Sequence, residues 1–413
     1  MAVTRATPTG PRALRSPAVR DGLAAFLTSR AIVWLIGIPA FLLVPLSGWQ
    51  KQDPTGLTRH LGAVGEVLGA PAVRWDSSYY VFTAQHGYQD PGQTAFFPGY
   101  PLLMRLVATI TYSEVVAGVL ISLVSFAIAL VVLHRLADLD FGPDVARRTV
   151  WLLALFPASV FFSAVYTEGL FLALSVGAVY AARRGSWAWA GVLGGVAALT
   201  RNTGVLIGVA VLLLYLYGPR ADRPPAPRRG IRPRYPLHAD ALWLLLIPAG
   251  LAAFGIYTWI KYDNPFISYD AQAIFHREFL GPLSALWYGA RDVGQAIGDL
   301  LGISNGEGVG ASLRTLALAG TVVGALVATV GALRRLPLAY GAYALAALLP
   351  PLSTPWPDHP LWSTPRFIAV LFPLFLWLGL VLRNRRWYVI VCVAFALGLA
   401  YCSARFSAWY WVA

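Results

Sequence analysis

The feature that most limits what this chain can fold into is the recurrence of apolar runs near ~20 residues, the length a helix needs to cross a bilayer. They fall at about 24–46, 113–133, 149–165, 167–182, 187–200, 203–217, 239–261, 311–333, 336–352, 365–382 and 387–402. Only 12% of the 413 residues are charged, against about 25% in soluble domains. The expectation is an all-α polytopic membrane protein of about eleven transmembrane helices. The net charge of +13 does not indicate nucleic acid, because the basic residues form short clusters between apolar runs, not one stripe.

Those clusters also set the orientation. The N-terminal arginines, Arg135 with Arg147 and Arg148, Arg183 with Arg184, the loop "GPRADRPPAPRRGIRPR", Arg334 with Arg335, and "RNRR" share one side if there are eleven spans. By the positive-inside bias that side is the cytoplasm. Reading 187–217 as one helix would invert everything after it and export the arginine-rich loop. The N-terminus is then cytoplasmic, and the C-terminus and three longer loops, 47–112, 262–310 and 353–364, are extracytoplasmic at the cell membrane. The expected organisation is a disordered basic tail (1–22), an N-terminal membrane module (23–217), a basic Pro-rich cytoplasmic loop (218–238) and a C-terminal membrane module (239–413). In the first outer loop Leu57, Leu61, Val64 and Leu68 recur at helical spacing, as in an amphipathic helix on the membrane surface, and a second helix is expected from Ser77. Cys392 and Cys402, ten residues apart on one run, are too distant for a disulfide.

The residues able to carry chemistry are those that an apolar setting makes costly. "RWDSSYY" places Asp76 beside Arg74, Trp75 and Tyr79. Its carboxylate reads either as a helix N-cap or as a base on a rigid mount. "TAFFPGYPLLMRL" is an extended turn that either joins loop to helix or walls a cavity. Glu168, between two apolar runs, is either a favourable acid at a helix start or a site residue. Arg201 in "LTRNTG" lies inside an apolar stretch, where a charge usually faces a cavity and a partner. "WPDHPLWSTPRFIAVLFP" adds His359, as a weaker candidate, and Arg366 at the outer mouth of a span. No phosphate-binding glycine loop or dinucleotide fingerprint is present, and no cluster has metal-ligand spacing. Neither metal nor cofactor is therefore expected. Outward carboxylates, arginines and aromatics beside a lipid cavity suit sugar transfer from a lipid phosphate. A carboxylate deprotonates the acceptor hydroxyl, a cation steadies the departing phosphate, and aromatics hold the ring.

Taken in order, "RWDSSYY", "FFPGYPLL", "FPASVFFSAVYTEGLF", "TRNTG", "PRFIAVLFP" and "WYWVA" resemble the PIG-V family, mannosyltransferases of the GT-C superfamily. The resemblance implies a GT-C-type bundle whose extracytoplasmic loop carries amphipathic helices. It also implies inverting transfer from a polyprenyl-phosphate-mannose donor, with Asp76 as catalytic base. Arg201 and Arg366 lead as substrate-binding residues, followed by Arg74, Trp75, Tyr79, Glu168 and His359. The partners expected are the lipid-linked donor, a glycolipid acceptor and membrane lipids. An Ala-, Arg- and Pro-rich composition looks actinobacterial, which makes another envelope glycolipid or lipoglycan the expected acceptor in place of GPI. Transfer of a different lipid-linked sugar is the near alternative. A glycolipid flippase is the distant one, and it predicts a pseudo-symmetric repeat that this sequence does not display.

Overall fold

A computed structural model describes residues 16–44, 56–224, 227, 232–275, 277–303 and 308–412. Most of the expected tail and part of the cytoplasmic loop lie outside the described residues. Helix α1 spans Pro17–Leu43, starting earlier than the expected tail boundary at 22, because Ser16 caps it and Pro17 sits in its first turn. The segment after α1 then carries α2 (Gly62–Gly69), α3 (Ser77–His86) and α4 (Gly99–Thr111). The chain continues through α5 (Glu114–Phe141), α6 (Pro143–Leu155), α7 (Glu168–Arg183), α8 (Trp187–Thr200), α9 (Ile207–Tyr217) and α10 (Leu246–Tyr262). The short α11 (Ile267–Asp270) and α12 (Ser284–Leu300) precede α13 (Val309–Arg335), α14 (Leu338–Ser353), α15 (Thr364–Ala369), α16 (Phe372–Val381) and α17 (Arg385–Ser407).

Each expected apolar run contains helix among the described residues, and the protein is a multi-pass membrane protein. Among the described residues, five helical stretches are long and apolar enough to cross a membrane alone: α1, α5, Ala239–Tyr262, α13 and α17. The others are shorter, so the count of eleven crossings stays an expectation. Apolar side chains such as Leu27, Leu35, Ile128 and Ile260 are exposed along these helices, as lipid-facing positions require.

Two expected spans are broken. The run 149–165 stops being α-helical at Leu155 and passes into a 3₁₀ turn over Pro157–Phe162. Pro157 cannot donate to the helix ladder and disfavours helical backbone just before it. The irregular stretch 158–167 is nonetheless buried throughout, which is tolerable only if protein satisfies its polar groups. Arg30 of α1 does this: its guanidinium donates to the Ser159 carbonyl at 2.9 Å, the Ser159 hydroxyl at 2.9 Å and the Ser163 hydroxyl. Val165 N–H donates to the Ala72 carbonyl at 2.9 Å, tying the same stretch to the loop before α3. The run 365–382 divides likewise into α15 and α16, with Pro373 at the new start.

Residues 187–217 form two helices. Arg201 has extended backbone (φ −150°, ψ 146°), and the chain then folds back. A Cβ at Gly204 would lie 2.1 Å from the Ala197 carbonyl oxygen, so only glycine permits the return. The expected amphipathic helix in the first outer loop is a 3₁₀ turn at Arg59–Leu61 followed by α2. Leu57 and Leu61 pack on the core, while Val64 and Leu68 are exposed.

Candidate active site

The break before α7, the break after α8, the start of α3 and the start of α15 meet at one point. Trp75 takes left-handed backbone (φ 55°), a strained state for a bulky residue that surrounding structure must impose. The strain turns the next residue, Asp76, into position. Asp76 N–H donates to the Tyr166 hydroxyl at 3.1 Å, and that hydroxyl lies 3.3 Å from the Arg74 carbonyl that accepts from it. The irregular stretch that Arg30 supports thus also anchors the backbone of Asp76.

Asp76 occupies the N-cap position of α3, yet its side chain makes no capping hydrogen bond. Its Oδ2 instead accepts from Arg366 Nη1 at 2.6 Å. Arg366 Nε lies 3.2 Å from Glu168 Oε1, and Arg201 Nη1 donates to the same Glu168 oxygen at 2.7 Å. The carboxylate of Glu168, only 1% exposed, therefore holds two arginines that reach it from α15 and from the α8–α9 break. Its Oε2 is buried with no hydrogen-bond partner among the described residues.

Above this network opens a cavity of about 740 Å³. Asp76, Trp75, Tyr79, Arg201 and Arg366 line it, with Phe96, Phe97, Trp356, Trp362, Trp409 and Trp411. The Pro-flanked turn is thus a cavity wall as well as a junction. Trp75 stands edge-on to Trp409 and Trp411, with ring centroids 5.7 and 5.4 Å away, and Tyr79 stacks on Phe96 at 4.5 Å. Two further left-handed residues outside glycine, Ser363 and Trp409, also line this cavity.

Two sequence candidates lie outside the cavity lining. Arg74 is 1% exposed and does not line the cavity. It donates to the Ser407 carbonyl at 3.2 Å and the Val73 carbonyl at 2.8 Å, with Phe41 and Trp409 under its guanidinium. That pins the end of α17 to the loop before α3 and seats Trp409 beside Trp75. His359 stacks on Trp362 at 3.8 Å, backing the wall without lining the cavity.

Three contributors escaped sequence reading. Tyr166 offers no signal beyond an aromatic next to a helix start. Phe367 lies beneath the guanidinium groups of Arg201, Arg277 and Arg366, with its centroid 5.4, 5.1 and 5.4 Å away. Arg277, half-buried, lines the cavity from the stretch between α11 and α12. Withdrawal from water pushes its guanidinium down to about 10, and the like charges of Arg366 and Arg201 add to this, while Asp76 opposes it. An arginine in a long loop has no mark in sequence that tells it from a solvated one.

Residues 59–213 match the family described as mannosyltransferase (PIG-V). Among curated proteins, the GPI alpha-1,6-mannosyltransferase 2 of Cricetulus griseus is 37% identical over 152 residues, covering 34% of this chain and 30% of that protein. The human protein of the same name is 30% identical over 154 residues, covering 35% and 30%. The GPI mannosyltransferase 2 of Cryptococcus neoformans is 29% identical over 160 residues, covering 36% and 38%. The matches thus span about a third of these relatives' length. Among solved structures, the Archaeoglobus fulgidus oligosaccharyltransferase aligns with a TM-score of 0.44 at 13% identity, covering 94% of this chain and 53% of that one. The matched segment contains Asp76, Glu168 and Arg201 of the ion-pair network, and over it the chain is similar to the PIG-V mannosyltransferase family.

Proposed function

We propose that this chain transfers mannose from a lipid-phosphate-linked donor, of the polyprenyl-phosphate-mannose type, to a glycolipid hydroxyl at the extracytoplasmic membrane surface. One observation carries the reading: Asp76 stands at a helix start without capping it, and its carboxylate faces an aromatic-walled cavity while Arg366 holds it. The names of the curated relatives support mannose as the sugar.

The chemistry needs one base. Asp76 accepts the proton of the acceptor hydroxyl as the oxygen forms a bond to the anomeric carbon. The bond from that carbon to the phosphate oxygen breaks, and its electron pair leaves with the lipid phosphate. Attack opposite the leaving group inverts the anomeric centre, with no covalent enzyme intermediate. The guanidinium groups that line the cavity beside Asp76 supply the positive field into which the phosphate departs. The aromatic wall offers flat apolar faces to sugar rings. The site draws Asp76, Glu168 and Arg201 from the expected N-terminal module and Arg277 and Arg366 from the C-terminal one, so we regard the two as a single catalytic unit.

The test is incubation of membranes containing the chain with labelled polyprenyl-phosphate mannose. Label should pass into a more polar glycolipid that accumulates with time. Transfer only from an arabinose or glucose donor would reassign the sugar, and no transfer from any lipid-linked donor would end the reading.

Sidedness rests on the arginine clusters. In a Cys392→Ser/Cys402→Ser background, cysteines replacing the exposed Gln89 and Tyr269 should react with an impermeant thiol reagent on intact cells, and one replacing Ala221 only after lysis. Labelling at 221 without lysis would place the site in the cytoplasm.

A further inference from the structure

The charges around the cavity do not balance. Arg201 and Arg366 have Glu168 and Asp76 as ion-pair partners. Arg277 has none: among the described residues no carboxylate lies within 4.0 Å of it, and its hydrogen bonds run to the carbonyls of Thr354 at 3.4 Å and Trp362 at 3.3 Å. Three cations thus share the ring of Phe367 against two carboxylates. A cation withdrawn from water beside two like charges is costly unless an anion joins it. The neighbouring chain holds Arg277 there despite that cost. Phe275 packs edge-on against Tyr79 and Phe96 at 5.5 and 5.4 Å, and Leu280 N–H donates to the Ser353 carbonyl at 3.2 Å. The stretch around Arg277 is thus tied at one end to the aromatics of α3 and the turn before α4 and at the other to the end of α14, and Arg277 lines the cavity over the ring it shares with Arg201 and Arg366.

We infer that Arg277 is the residue that grips the donor's phosphate, with Arg201 and Arg366 serving mainly to hold Glu168 and Asp76 in place. This inference rests on the function proposed above. It reassigns the phosphate contact from the two arginines conspicuous in sequence to one that was not. A phosphodiester carries a single negative charge, which matches the one cation left uncompensated. Arginine's planar fork can meet two phosphate oxygens at once.

The experiment uses purified full-length protein in lipid nanodiscs. Quenching of cavity tryptophan fluorescence reports binding of polyprenyl phosphate, the uncharged polyprenol and inorganic phosphate. The wild type should bind polyprenyl phosphate about 10- to 100-fold more tightly than polyprenol, the scale of a charge-assisted contact. Arg277→Gln should erase most of that preference while leaving polyprenol affinity unchanged and the melting temperature no lower, and Arg277→Lys should keep part of it. In transfer assays the Gln variant should raise donor KM more than it lowers kcat. If the wild type discriminates and Arg277→Gln discriminates equally, the inference fails and the proposed function stands. If the wild type shows no preference for the phosphate, the lipid-phosphate donor itself is wrong. Inorganic phosphate binding as tightly as the lipid would reassign Arg277 to a free-anion site.

Discussion

Asp76→Asn is expected to give a folded protein that binds donor and transfers mannose more slowly by ~100-fold or more, the usual scale for a lost general base. The substitution is nearly isosteric, and the amide oxygen can still accept from Arg366 Nη1, which now reaches Oδ2 at 2.6 Å. Arg366 also keeps Glu168 as a partner, so no cation is orphaned, and the stability change should stay near ~1 kcal/mol, the net worth of one hydrogen bond. Because the side chain makes no capping bond in the wild type, Asn gains no compensating role. The defect belongs in kcat at saturating donor, since a rise in KM alone would indicate a binding residue. Turnover within a few-fold of wild type would remove Asp76 from the chemistry and leave Glu168 as the carboxylate to examine.

Glu168→Gln should act mainly on the fold. Its buried carboxylate is the ion-pair partner of Arg201 and the second partner of Arg366. Neutralising it leaves the Arg201 guanidinium, at the cavity wall, without its carboxylate, and breaking a buried pair by removing one partner costs about 3–5 kcal/mol, an upper bound for this partly exposed one. Thermal unfolding in nanodiscs should fall sharply, and activity should fall with it, because Arg366 loses one of the contacts that aim it at Asp76. Adding Arg201→Gln should recover much of the stability without the activity, since the pair is then removed as a unit. A single variant that melts like the wild type would show that the ion pair contributes nothing net to the fold.

The two substitutions separate what was readable along the chain from what was not. Asp76, Glu168 and Arg201 stood out because each interrupts apolar or aromatic surroundings, and the cost of withdrawing a charge from water is visible from neighbours a few residues away. Which charge meets which was not visible. Asp76 and Arg366 are 290 residues apart, and nothing local to "RWDSSYY" chooses between a capping carboxylate and one held from α15. Arg74 and Arg277 invert the expectation for the same reason. Arg74, next but one to the aspartate, is buried against the end of α17, while Arg277, in a loop without apolar flanks of membrane length, enters the cavity.

The sequence by itself determined the membrane class, the placement of the apolar helices and the carboxylates and arginines worth testing, because hydrophobicity, helical length and charge cost are properties of short stretches. The tertiary structure decided where those helices break, which arginines are neutralised and which one is left over. Those outcomes depend on which distant backbone groups and side chains arrive at the same place. Arg30 makes the irregular stretch before α7 tolerable only because α1 packs there. Arg277 carries an unbalanced charge only because Glu168 and Asp76 are already held by Arg201 and Arg366. Burial and pairing are collective properties of the packed molecule, and no window of the chain contains them.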